Sequence, residues 1–175
     1  LFAQEPPHGA MISTPPPDSL WYEGELHIQN VKQLTFGGEN AEAYFSTDGK
    51  FLVYQSTRDS FDCDQIFTYN LETGEQTLVS TGTGVTTCSF FVPGKDELVF
   101  CSTHEHGAHC PEKPDRSLGY VWGLFDFGVY KCKLDGSGLT KLSDVAGAYD
   151  AEAAVSPDGK EVVFTSGRDG DLELY

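Results

Sequence analysis

An all-β fold of stacked four-stranded antiparallel units, a β-propeller present as an incomplete array, is what this chain predicts, on three observations. The run Ala41-Glu42-Ala43-Tyr44-Phe45-Ser46-Thr47-Asp48-Gly49-Lys50 returns as Ala151-Glu152-Ala153-Ala154-Val155-Ser156-Pro157-Asp158-Gly159-Lys160. A degenerate copy, Thr87-Cys88-Ser89-Phe90-Phe91-Val92-Pro93-Gly94-Lys95-Asp96, lies between them. The phase also persists, since Ser46 to Ser156 and Phe67 to Tyr175 are separated by nearly the same length. Repetition at roughly 40–50 residues marks an array whose units bury their faces only against their neighbours. A β-sandwich also has short strands and regular turns, but it has no reason to keep that phase.

The first unit reads strand by strand. Ala41 to Ser46 alternates small or apolar residues with polar ones, as a strand with two faces does. Thr47 to Lys50 is a turn, because Asp-Gly accepts the positive φ of a tight hairpin. Phe51 to Gln55 returns, a polar loop runs from Ser56 to Asp64, and Gln65 to Leu71 is the third strand. A turn at Glu72-Thr73-Gly74-Glu75 leads to the closing strand, Gln76 to Val79. Four such strands make one propeller blade. The second unit has Glu97 to Ser102, Gly128 to Leu134, a turn at Asp135-Gly136-Ser137-Gly138, and Leu139 to Leu142. The third has Glu161 to Ser166, a loop from Gly167 to Asp171, and Leu172 to Tyr175. The blades are thus expected at 41–79, 87–142 and 151–175, the last cut short.

Ser156-Pro157-Asp158-Gly159-Lys160 follows a small-acidic-small strand. It precedes a strand ending in Thr165-Ser166, then Arg168-Asp169-Gly170-Asp171 and an aromatic strand. With the run Leu134 to Leu142, this combination resembles the TolB-type propeller repeat over residues 31–175. Thr47 departs from the usual proline, and Pro93 to Asp96 scrambles the turn. The resemblance implies a propeller fold. It leaves the job open, because the family spans periplasmic scaffolds and propeller domains attached to peptidases or other hydrolases.

Asn30 to Gly38 reads as the close of a blade, so residues 31–35 are expected to form an outer strand lent to a last blade. That blade is missing, and an open array would leave apolar faces and strand edges in water. The chain is therefore read as part of a longer protein, or as completed by blades from another chain. Leu1-Phe2-Ala3 resembles the tail of a secretory signal peptide. Residues 1–30, with Pro6, Pro7, Pro15, Pro16 and Pro17, read as an extended arm. No apolar run approaches the roughly 20 residues of a membrane span. Periplasmic or extracellular placement follows as an expectation.

The formal net charge is −16, from 27 acidic and 11 basic residues. Nucleic-acid binding is disfavoured, since phosphate contacts require a basic face. Calcium or a basic partner suits such a surface better. Five cysteines allow two disulfides at most. Cys63, Cys88, Cys101 and Cys110 all fall on one rim of the array, and at least one disulfide is expected among them. Counting outward from the 93–96 turn sets Cys88 opposite Cys101. Cys132 is expected as a buried thiol or one facing a partner.

The loop of the second blade is much longer than that of the first. Long loops on a regular scaffold tend to carry function. Three of the five histidines, His104, His106 and His109, stand here, followed by Cys110. Imidazole and thiolate are preferred zinc ligands, so these four are candidates for a metal. The competing reading is a solvated loop with Cys110 in a disulfide to Cys63 or Cys88. The run Tyr120 to Phe127 either packs over a neighbouring blade or offers Tyr120, Trp122 and Phe125 as anchors to a protein partner. Glu42 and Glu152 hold equivalent inner-strand positions and are expected to line the central channel.

No Gly-x-Ser-x-Gly elbow, His-Glu-x-x-His helix or phosphate-binding glycine loop occurs. Two classes of function are therefore carried forward. One is a non-enzymatic exported propeller that binds or scaffolds another protein in an envelope or cell-surface assembly. The other is the N-terminal propeller of a larger hydrolase or peptidase whose catalytic part lies beyond Tyr175.

Overall fold

The computed structural model describes residues 24–143 and 145–175. The chain divides into two units, Leu1–Gly37 and Gly38–Tyr175. In the first, the Glu25 carboxylate accepts hydrogen bonds from the backbone N–H groups of His27 (2.7 Å) and Ile28 (3.0 Å). Lys32 is bridge-paired, and residues 31–35 form part of none of the three sheets described below. The expected signal remnant and most of the proline-rich arm lie outside the described residues.

The second unit holds three antiparallel sheets. Blade 1 is β1 (Glu39–Phe45), β2 (Phe51–Thr57), β3 (Gln65–Asn70) and β4 (Gln76–Leu78), paired in chain order. Blade 2 is β5 (Thr86–Phe91), β6 (Glu97–Ser102), β7 (Gly128–Lys133) and β8 (Thr140–Ser143), again in chain order. Blade 3 is β9 (Asp150–Val155), β10 (Val162–Ser166) and β11 (Glu173–Leu174). The strands stand where the repeat puts them, within a residue or two at each end.

Local chemistry explains the shared turn. Ser46 Oγ donates to Asp48 (2.7 Å) and accepts from the Phe51 N–H (2.9 Å). Ser156 repeats both bonds, to Asp158 (2.7 Å) and from the Glu161 N–H (3.0 Å). Those serine bonds, with backbone N–H groups behind them, hold the Asp48 and Asp158 carboxyls below their usual range. Gly49 and Gly159 supply the left-handed residue at φ 70° and 69°.

Alternation along β6 then builds two cores. Leu98 and Phe100 face blade 1 with Val53, Ile66, Val79 and Tyr130. Val99 and Cys101 face blade 3 with Val129, Phe127, Tyr149 and Ala151. A sheet buried on both faces is apolar at consecutive positions, and β6 has that pattern.

One register expectation is corrected. Cys88 does not lie opposite Cys101; Thr87 does. The first strand of every blade carries a bulge. Its left-handed residue is Glu42 in blade 1 (φ 50°), Cys88 in blade 2 (47°) and Glu152 in blade 3 (59°). An extra residue on one strand shifts the count by one, so pairing counted from the hairpin turn fails beyond Ser89.

Candidate functional site

The insertion between β6 and β7 has no regular secondary structure, yet many bonds position it. Cys110 is joined to Cys63 of the blade 1 loop, with Cα atoms 5.8 Å apart. The Ala108 carbonyl accepts from the Gly84 N–H (2.9 Å). Gly84 has φ 64°, and a Cβ there would meet Thr103 Oγ1 at 2.7 Å, so this close crossing requires glycine. His106 lies 3.4 Å from the Asp126 carboxylate, which also accepts from the Gly147 N–H (3.1 Å). Lys141 pairs with Glu105.

These placements do not assemble the candidate metal site. Cys110 is spent in the disulfide, and His106 turns to Asp126. Among the described residues no group of three or more His, Cys, Asp or Glu side chains converges to hold an ion. His104 has a repeat role that sequence reading missed. In blade 1 the Arg58 guanidinium bonds Ser56 and stacks on Tyr54 and Phe67. In blade 3 Arg168 bonds Ser166 and stacks on Phe164 and Tyr175. In blade 2 the His104 ring bonds Ser102 (2.9 Å) and lies 4.5 Å from the Tyr130 ring. The signal was present in the alignment of Ser56-x-Arg58 and Ser166-x-Arg168 with Ser102-x-His104. His104→Arg is therefore expected to change stability by less than about 1 kcal/mol in urea unfolding. A loss well beyond that would separate His104 from the repeat.

Beyond Cys110 the insertion forms an exposed ledge over a pocket. Tyr120 is 71% exposed and Trp122 52%, with Leu118, Val121 and Leu124 exposed beside them. Phe125 is half-buried and lies tilted against Phe127, which meets Tyr149 edge-on at 5.7 Å. Trp122 Nε1 donates to the Tyr149 hydroxyl (3.1 Å), fixing the indole. Of the two readings of this run, each describes a part: Phe125 and Phe127 pack, whereas Tyr120 and Trp122 remain open. The pocket has a volume of about 260 Å³, and Gln55, Asp64 and Thr87 line it together with Arg116, Trp122 and Tyr149. Gln55 Nε2 donates to Asp64 (3.0 Å), as does Thr57 Oγ1 (2.6 Å). Sequence reading missed Gln55, Asp64, Arg116 and Tyr149, since nothing local connects them.

The inner strands line a second concavity. Glu42, Cys88, Ser89 and Glu152 meet around about 290 Å³. Thr165 Oγ1 donates to Glu152 (2.8 Å). Ser89 Oγ is buried without a partner among the described residues. Burial pushes the Cys88 thiol up to about 12, with the neighbouring Glu42 and Glu152 carboxylates adding to it against a hydrogen bond shared with Thr87. Such a thiol stays protonated at neutral pH and is a poor nucleophile. Cys101 is buried and shifted further in the same direction, and burial pushes Cys132 up to about 12. These three cysteines are free thiols.

No family model matches the chain. Solved structures do. The array is similar to TolB from Acinetobacter baumannii at 19% identity, with a TM-score of 0.59, covering 82% of this chain and 31% of that one. It is similar to a TolB-type protein of Agrobacterium tumefaciens at 23% identity, with a TM-score of 0.56, covering 76% and 40%. The tricorn protease matches at 19% identity, with a TM-score of 0.52, covering 83% of this chain and 13% of that one. The class defined by these likenesses is the β-propeller. The fold of these blades is the one seen in the TolB structures and in the tricorn protease alike, and the chain spans less than half the length of each of these proteins. Among the described residues no helix is long and apolar enough to cross a membrane.

Proposed function

We propose that this chain is a propeller domain of an exported protein, periplasmic or extracellular, that binds a protein partner as a non-enzymatic scaffold in an envelope or cell-surface assembly. The observation that carries this reading is the ledge. Five large apolar side chains stand exposed on an insertion that is otherwise tied down by a disulfide, an ion pair and backbone bonds. A rigid element presenting Trp and Tyr loses little entropy on binding, which is how interface anchors work. The disulfide is in keeping with an oxidising compartment. Residues 31–35 would serve as the outer strand of a closing blade, and further blades of this or another chain would cover the exposed apolar side chains of β10 and β11, Val163 and Leu174. The tricorn protease likeness favours the second reading, in which the propeller belongs to a larger hydrolase.

The test replaces residues 104–124 with the blade 1 loop, with serine in place of cysteine both at Cys63 and in the grafted copy, so that no stray thiol remains. With the β spectrum retained by circular dichroism, partner association is expected to weaken at least tenfold. Unchanged association would place the recognition surface elsewhere.

A further inference from the structure

We infer that the pocket beneath the ledge binds a neutral sugar ring. Its volume of about 260 Å³ is small for a ligand site, so the occupant is small. One side of the pocket is aromatic, with Tyr120, Trp122 and Tyr149 among its walls. Ring faces carry negative π density and attract the C–H-bearing face of a pyranose. The Trp122 N–H is already given to Tyr149, so what the indole offers a ligand is its face and not a donor.

The remaining lining is polar and of both kinds. Asp64 is an acceptor, and its two oxygens each take one protein hydrogen bond, leaving further lone pairs. Arg116 is a donor. Among the described residues its guanidinium is held only by stacking on Tyr120, 4.7 Å from the ring centre, which leaves its N–H groups for a ligand. Hydroxyl groups donate and accept at once, so vicinal sugar hydroxyls satisfy a carboxylate and a guanidinium together. A purely apolar anchor from a peptide would instead desolvate Asp64 and Gln55 without replacing their contacts with water.

Charge decides against acidic sugars. Within the pocket one carboxylate and one guanidinium cancel. The bordering loops carry Asp59, Asp62, Glu112, Asp115 and Asp126 against Arg58 and Lys113, so acidic residues stay in excess there, and the chain as a whole is at −16. That field repels an anionic ligand.

The experiment uses the full chain with cellobiose, maltose and lactose as neutral probes, digalacturonate as the acidic one and acetyl-Leu-Tyr-amide as the peptide. Saturation-transfer NMR reads which protons touch the protein, and tryptophan fluorescence gives the affinity. At least one neutral disaccharide is expected to saturate the chain in the millimolar range, with its ring protons in contact. Trp122→Ala and Arg116→Met should each weaken it at least tenfold. Arg116 is exposed, so its variant keeps the test open even if the Trp122 variant fails to fold. The double variant Leu118→Ala, Leu124→Ala, at ledge residues outside the pocket lining, should weaken protein association and leave sugar binding unchanged, which tells the two readings apart although Tyr120 and Trp122 belong to both surfaces. No saturable neutral sugar, tighter binding of digalacturonate or of the peptide, or full affinity in Arg116→Met would each overturn the assignment.

Discussion

Replacing Cys63 and Cys110 with serine is expected to destabilise the array by about 4 kcal/mol, the loop-closure entropy released when a bond spanning some tens of residues is lost. The sequence separation is 47, and the closed loop contains β3, β4, β5 and β6. The cross-link therefore ties the blade 1 loop to the start of the insertion across a blade boundary. For a domain of this size the loss corresponds to a melting shift of about 10 °C. The effect should be larger on the ledge than on the cores, because residues 104–110 lose their one covalent tie to blade 1 and are left with non-covalent contacts such as those to Gly84, Ser102, Asp126, Tyr130 and Lys141. Differential scanning calorimetry checks the first statement, and limited proteolysis of the insertion checks the second. A melting temperature within a degree or two of the parent would mean that those bonds alone hold the insertion.

The second large effect is expected at Asp150, fully buried at the start of β9. Its carboxylate accepts from Ser143 Oγ (2.8 Å), Ser166 Oγ (2.5 Å) and the Arg168 guanidinium (3.0 Å). Asp150→Ala takes the charge partner from a half-buried guanidinium, which keeps its bonds to Ser143 and Ser166, and leaves both hydroxyls without their acceptor, at a cost of about 3–5 kcal/mol. Asp150→Asn should cost less than half of that. Blade 1 provides the reason, since Asn40 stands at the same position and accepts from Ser56 Oγ (2.9 Å) and Arg58 (3.2 Å). Urea unfolding of the three proteins gives the comparison. Equal losses in both variants would mean that charge, and not an oxygen correctly placed, is what Ser166 and Arg168 require.

That pair also shows how far repetition can be read. Asn40 and Asp150 precede the repeated run by one residue, Ser56 is the last residue but one of β2, and Ser166 ends the matching β10. A latch of acceptor, serine and arginine was thus open to inspection in the alignment of blades 1 and 3. Blade 2 hid it, because Thr86 and His104 stand there instead. The histidine, with His106, His109 and Cys110 near it in sequence, drew attention to metal chemistry.

The sequence by itself determined the blades, their strand order and their turns. The Ser-x-Asp-Gly-Lys turn closes through bonds spanning two to five residues, and strand alternation is a local pattern, so neither needs the rest of the chain. The insertion was visible for the same reason, as a break in a local rhythm. Tertiary structure decided the rest. The bulges that place Glu42, Cys88 and Glu152 together displace the register by one, and counting along a hairpin cannot show that. The choice of Cys63 over Cys88 as partner of Cys110 depends on where one blade's rim meets the next. The pocket draws Gln55, Asp64 and Thr87 from blade 1 and the start of blade 2, Arg116 and Trp122 from the insertion, and Tyr149 from the approach to blade 3. Contacts between residues so far apart exist only once the blades pack, because it is the burial of both faces of β6 that fixes where their rims come together.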